Sequence, residues 1–194
     1  MVWLARTSEY YEITGVISIR SELRTNRIVP RDGLPSGSSG GIIQVVFAQT
    51  NTEASQANTG GTQTTLFFTN LQATITPTRS DSKILVMANQ NFNITTSAAV
   101  QMQWNFYICN SSGTILQGSP GGDSYDQQRV KDLKAHAGTH PIHFLHSPNT
   151  TSAFTYRVYG NNYSNSGSNN STLSCQTANR SNAFSTMTLM EISG

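Results

Sequence analysis

The chain has 194 residues, of which 36% are hydrophobic and only 11% charged, and its formal net charge is +2. Ser, Thr and Asn supply 65 of them (24, 24 and 17), a third of the chain, which disfavours helices and excludes a coiled coil or helical bundle. The 17 aromatic residues (8 Phe, 7 Tyr, 2 Trp) argue against disorder, and so mild and dispersed a positive charge argues against a nucleic-acid partner.

A chain of this length removes about 70% of its unfolded surface from water, so a core is within reach without metal or disulfide, and no cofactor is expected. No window approaches 18 apolar residues and the N-terminus lacks an apolar signal core, so neither membrane insertion nor secretion is expected. Asn-X-Ser/Thr sites such as Asn93-Ile94-Thr95 are chance products of the composition. Cys109 and Cys175 lie far apart in strand-like runs and read as buried free thiols.

From the N-terminus, residues 1–29 form the first region. Nine of the first 40 residues are charged (five basic, four acidic) against 13 of the remaining 154, so the charged fraction drops from about 22% to about 8%. Ile13, Val16, Ile17, Ile19, Leu23 and Ile28 alternate with Arg20, Glu22, Arg24 and Arg27, too few apolar positions for a core. This reads as an attachment arm. Trp3, Tyr10, Tyr11, Ile17, Ile19 and Leu23 are its candidate contacts with another chain, the alternatives being a frayed tail or an extra strand on its own domain. Residues 30–41, with two prolines and four glycines, read as a linker.

Residues 42–194 have a period of two almost throughout. Strands are predicted at Ile42 to Ala48, Thr64 to Phe68, Leu71 to Ile75, Ile84 to Phe92, Met102 to Ile108, Thr114 to Leu116, Ile142 to His146, Phe154 to Val158, Thr172 to Cys175 and Thr186 to Ile192. Asn110-Ser111-Ser112-Gly113, Gly118 to Gly122 and Asn161 to Asn170 supply turns. One dry and one polar face per strand predicts an all-β, antiparallel two-sheet sandwich with a jelly roll as the expected arrangement. Met102, Trp104, Phe106 and Ile108 should be buried. Gln101, Gln103, Asn105 and Tyr107 form the opposite, polar face, and its lack of charge suggests a subunit interface in a homotrimer.

Candidate chemistry is sparse. All four histidines, His136, His140, His143 and His146, fall within eleven residues and are the weak candidates for a metal. The strand period puts His143 and His146 on opposite faces, Pro141 interrupts the run, and no carboxylate orients an imidazole; exposed or interface histidines are the favoured reading. Asp123, Asp126 and Asp132 lack calcium-loop spacing and lie among Arg129, Lys131 and Lys134 on what reads as a solvated loop. Asp81 and Glu191 show no pairing suited to glycoside hydrolysis, and no nucleophile motif is present, so no enzyme is expected. Tyr125 and Tyr163, in the predicted loops Asp123 to Lys134 and Asn161 to Asn170, and Tyr159, at the end of the strand before the second loop, are candidates for contacting a host surface glycan.

Several segments carry a more specific signal. Asn26-Arg27-Ile28-Val29-Pro30-Arg31-Asp32-Gly33-Leu34-Pro35, Gly40-Gly41-Ile42-Ile43-Gln44-Val45-Val46, Thr74-Ile75-Thr76-Pro77 and Ser82 to Met87 come first. Phe144-Leu145-His146-Ser147-Pro148, Thr155-Tyr156-Arg157 and Ser185 to Ile192 follow. Together they resemble virion structural and tail-fibre-type proteins of tailed bacteriophages, especially those infecting cyanobacteria. The resemblance runs from about Asn26 to the C-terminus. It implies a β domain borne on the virion, often trimeric, that assembles with other virion proteins of tail or capsid. A tail-fibre or adhesin component and a capsid decoration protein both fit. The family often has Asp where His146 stands, and the first 25 residues match nothing in it.

Overall fold

The computed structural model describes residues 41–59, 64–117, 128–164, 170–177 and 183–193. Among these, nine strands and no helix occur: β1 Ile42–Thr50, β2 Ala54–Asn58, β3 Phe67–Ile75, β4 Lys83–Asn110, β5 Ile115–Gln117, β6 Gln128–His146, β7 Phe154–Ser164, β8 Ser171–Cys175 and β9 Ser185–Ile192. All pairings are antiparallel, and they build the expected two-layer sandwich.

The layers share a strand. Through residues 83–89, β4 runs between β9 and β6, with β1 beyond β9, giving the order β1-β9-β4-β6. At Phe92–Thr96 β8 takes the place of β9 beside β4, with β2 outside it. From Met102 to Asn110 β4 pairs with β7, which pairs with β3, and β5 lies against its end. A straight strand of 28 residues would be about 90 Å long, whereas a chain of this size folds to a radius of gyration of about 16 Å. β4 must therefore turn a corner, and the register shifts between Thr95 and Val100 and between Val100 and Met102 mark the place.

This corner corrects the expectation of two strands, Ile84 to Phe92 and Met102 to Ile108. The intervening Thr95-Thr96-Ser97-Ala98-Ala99 lacks large alternating side chains, yet its backbone remains extended. Thr64 to Phe68 and Leu71 to Ile75 likewise belong largely to one strand, β3, bulged at Asn70, whose φ is 68° and whose Nδ2 donates to the carbonyls of Thr52 and Glu53. The turn expected at Asn110 to Gly113 is present: Asn110 Oδ1 accepts from the backbone of Ser112 and Thr114, and Gly113 has a φ of 86°.

Inward-pointing residues of both layers meet in one core: Leu71, Ala73 and Ile75 from β3, Ile84, Val86 and Ala88 from β4, Tyr156 and Val158 from β7, and Met187 and Leu189 from β9. Met102, Trp104, Phe106 and Ile108 are buried as expected. The opposite face of that stretch is buried too. Gln103, Asn105 and Tyr107 lie inside the chain, so they are not an open polar face awaiting a subunit. Asn105 Nδ2 donates to Asn161 Oδ1 at 3.1 Å. Cys109 and Cys175 are buried free thiols, and burial pushes Cys109 up to about 11.

Candidate functional site

Three places could carry function: the histidine strand, the tyrosine positions, and a face that the sequence pattern did not reveal. β6 pairs with β4 along one edge, and no partner lies along its other edge among the described residues. An edge strand accommodates proline because the missing N–H is not needed for pairing, so Pro141 continues the strand instead of interrupting it. This also corrects the loop expected at Asp123 to Lys134: residues 128–134 belong to β6. Of the two predicted loop tips, Asn161 to Asn170 begins as the end of β7, with Asn161 and Asn162 buried.

The register sets the histidine orientations. His136 lies opposite Ile94, His140 opposite Gln90 and His146 opposite Ile84, all inward positions of β4, whereas His143 lies opposite Met87 and faces out. At about 3.3 Å per residue, His136 and His140 are about 13 Å apart and His136 and His146 about 33 Å. One metal needs nitrogens about 2 Å from itself, so these residues of one chain do not share an ion. Among the described residues no group of three potential ligands forms such a site.

Each inward imidazole instead covers an aromatic ring at the margin of the core. His136 stacks on Trp104 with centroids 5.1 Å apart and lies 5.9 Å from Phe92, and His140 is 5.4 Å from Phe106. His146 sits among Phe144, Phe154 and Tyr156, its Nδ1 2.8 Å from the Tyr156 hydroxyl. Burial lowers the His146 pKa and raises that of Tyr156, so both are neutral at pH 7 with one proton between them. Between the first two stacks a cleft of about 370 Å³ is lined by Phe92, Trp104, His136, Gly138, Thr139, His140 and Pro141. Its lining contains neither a carboxylate nor a thiol.

The carboxylates that the sequence left unpaired have structural tasks. Arg79 and Asp81 form an exposed ion pair at 2.9 Å. Glu191 is fully buried and accepts from Gln44 Nε2 at 2.7 Å, from the backbone N–H of Thr78 at 2.8 Å and from its hydroxyl at 2.9 Å. Burial raises its pKa, and these hydrogen bonds more than offset that, leaving it below the usual carboxylate range. Gln44 also donates to the carbonyl of Thr76, so one carboxylate ties β1, β9 and the turn after β3 together.

Tyr159 is half-buried on β7, its ring 5.7 Å from Phe68, and Arg157 lies over the same Phe68 ring at 5.1 Å. Tyr163, four residues on, is half-buried near the end of that strand. Both belong to β7, which for Tyr163 corrects the placement in a loop. Tyr125 and the arm candidates Trp3, Tyr10, Tyr11, Ile17, Ile19 and Leu23 lie outside the described residues.

The sequence pattern missed the outer face of the β1-β9-β4-β6 layer. Register aligns Val45, Met190, Leu85 and Leu145 in one row across all four strands, and Phe47, Thr188, Met87 and His143 in the next. Ile42, Ile192 and Lys83 begin the row at the other side. Phe47 is 60% exposed, Val45 55%, Leu145 52% and Ile42 51%. The expectation of one dry and one polar face per strand fails here, because β1 is apolar on both sides. The run Ile42-Ile43-Gln44-Val45-Val46-Phe47 held that signal: five of its six residues are apolar, more than alternation allows.

No protein-family model matches the chain, and no curated protein does. Solved structures share part of its path. The VP2 subviral particle of infectious bursal disease virus is 13% identical, with a TM-score of 0.37 over 85% of this chain and 40% of that one. The structure of the Gx strain of the virus is 14% identical, with a TM-score of 0.35 over 84% and 39%. For the Gt strain the identity is 11% and the TM-score 0.33, over 85% and 41%. The chain thus spans about two fifths of the length of these structures.

Proposed function

We propose that this chain is a non-enzymatic structural protein of a virion, a tail-fibre or adhesin component whose arm docks on another virion protein while the sandwich is displayed. The observation that carries this reading is where the phage-like motifs fall. Gln44 from Gly40 to Val46, Thr76 from Thr74 to Pro77, and Glu191 from Ser185 to Ile192 meet in one buried hydrogen-bonded group, while Ser82 to Met87 leads into β4 beside β9. Phe144 to Pro148 and Thr155 to Arg157 meet likewise at His146 and Tyr156. These motifs are thus the fastenings of one sandwich module, which supports a kinship of fold over the described residues; Asn26 to Pro35 lies outside them. His146, at the position where that family often has Asp, keeps a polar partner in Tyr156.

Decoration of a capsid is the second reading, favoured by a chain that contains no shaft-like repeat. A homotrimer is not part of the proposal, because the polar face that suggested it is buried within the chain. Quantitative mass spectrometry of purified particles tests the reading: few copies per particle fit a fibre component, many fit decoration, and absence from particles overturns both. Release of reducing sugar from host lipopolysaccharide or capsule by the purified protein would overturn the non-enzymatic assignment.

A further inference from the structure

The outer face of the β1-β9-β4-β6 layer extends well past its apolar rows. Beyond Phe47 the register carries it through further rows, from Gln49, Thr186, Asn89 and Pro141 to Ala57, Thr172, Thr95 and Ala135, where β2 and β8 stand in for β1 and β9. Across all the rows, marked by every second residue of β4 from Lys83 to Thr95, Lys83 and His143 are the only charged or titratable side chains, and there is no carboxylate. Monomeric proteins seldom leave a continuous apolar patch wet, and depletion of charge separates the core of an interface from ordinary surface. We propose that this face is an interface with a second copy of the chain, the two layers packed face to face about a two-fold axis that runs along the strands.

Area and charge favour that occupant. The outer strands are about 15 Å apart and Lys83 to Thr95 spans about 40 Å, so with its side chains the face offers about 600 to 800 Å². This is close to the roughly 800 Å² that each partner gives to a standard interface. One ammonium and one imidazole give a partner of opposite charge little to recognise, whereas a second copy of the same face needs no charge to match it.

The pattern of rows selects the axis. Apolar rows occupy one end of the face and small or polar rows the other, so an axis across the strands would set unlike ends together or overlap one end only. An axis along the strands lays each row on itself, with β1 of one copy over β6 of the other and β9 over β4, in the aligned packing usual for stacked sheets. Val45 of one copy then meets Leu145 of the other, Met190 meets Leu85, and Phe47 meets the His143 imidazole. Lys83 lies in the first row, and its ammonium leaves the interface at that end.

Light scattering and sedimentation of the purified full-length chain test this. A concentration-dependent dimer is expected. Val45→Lys and Leu145→Lys, at positions 55% and 52% exposed in the single chain, should each raise its Kd about tenfold or more, and Thr74→Lys on the other layer should leave it unchanged. Mixing Val45→Lys with Leu145→Glu should restore a dimer of the two variants, because the introduced ammonium of one copy then faces the introduced carboxylate of the other while the second contact stays Val45 on Leu145. A monomer at every concentration, a trimer, or a dimer indifferent to Val45→Lys would overturn the proposal. Failure of the mixture to associate, with both variants folded by circular dichroism, would overturn it too. None of these readouts uses particles, so failure of the virion reading would show separately, as absence of the protein from purified particles.

Discussion

Two regions of the molecule have exchanged the surroundings that their polarity would suggest. Between the layers, Thr69, Gln90, Gln176 and Ser185 are buried and bonded to one another: Thr69 Oγ1 donates to Gln90 Oε1 at 2.9 Å, and Gln90 Nε2 reaches Ser185 Oγ at 2.9 Å. Gln176, held at a φ of 52°, turns its side-chain oxygen toward Ser185 and Gln90 and its nitrogen toward the carbonyls of Thr69 and Thr52. Asn162 similarly donates to Ser171 Oγ at 2.9 Å and receives Thr64 on its own oxygen. On the outside of the first layer, by contrast, Ile42, Val45, Phe47 and Leu145 face outward. Neutral amides and hydroxyls can be buried because each brings its own donors and acceptors, which is why a chain with so many Asn, Ser and Thr needs few charges to fold.

The comparison can be broken from the inside first. Trp104→Ala removes an indole packed on Phe92 and His136 and should cost about 3 to 5 kcal/mol, read from the urea midpoint. A folded variant with an unchanged midpoint would contradict the packing. Gln90→Leu removes the amide that joins Thr69 to Ser185 and should cost about 1 to 3 kcal/mol, although Thr69 keeps the Val158 carbonyl and Ser185 keeps Asn91 N–H and Gln176, whereas an apolar site would tolerate the change.

Acid should act in two smaller steps. The His146 pKa is lowered on folding, so the unfolded chain binds the proton first and stability falls as pH drops below about 6.5. Glu191 is also lowered, so its contribution is complete above about pH 4.5 and is lost as pH falls through its folded pKa. His146→Asn should remove the first step and leave the second, which melting curves across pH would show. The smallest effect is expected outside: Phe47→Thr should change stability by about 1 kcal/mol or less. A loss as large as that of Trp104→Ala would mean that the outer face acts as a second core.

What was legible in the sequence follows the same division. Alternation located most strands and the buried side of Met102 to Ile108, because large apolar residues at a period of two leave little choice of face. It missed β2, whose Ala54-Ser55-Gln56-Ala57-Asn58 carries no large side chain, and it divided β4 where small residues turn the corner. The histidine cluster was visible, but its role was not: only the pairing register shows that three of the four face inward over aromatic rings. Glu191 looked like an isolated carboxylate because its partners, Gln44 and Thr78, lie more than a hundred residues away in the chain.

β4 carries a consequence of another kind. Since one unbroken strand borders β9 and β8 in its first half, β7 and β5 in its second and β6 on both sides of the corner, neither layer can come apart while the other stays intact. The sandwich should lose its structure in a single cooperative event. Amide protons of β4 on both sides of the corner would then exchange with solvent at the same slow, global rate, and a pull on either layer would be carried along a covalent backbone to the other.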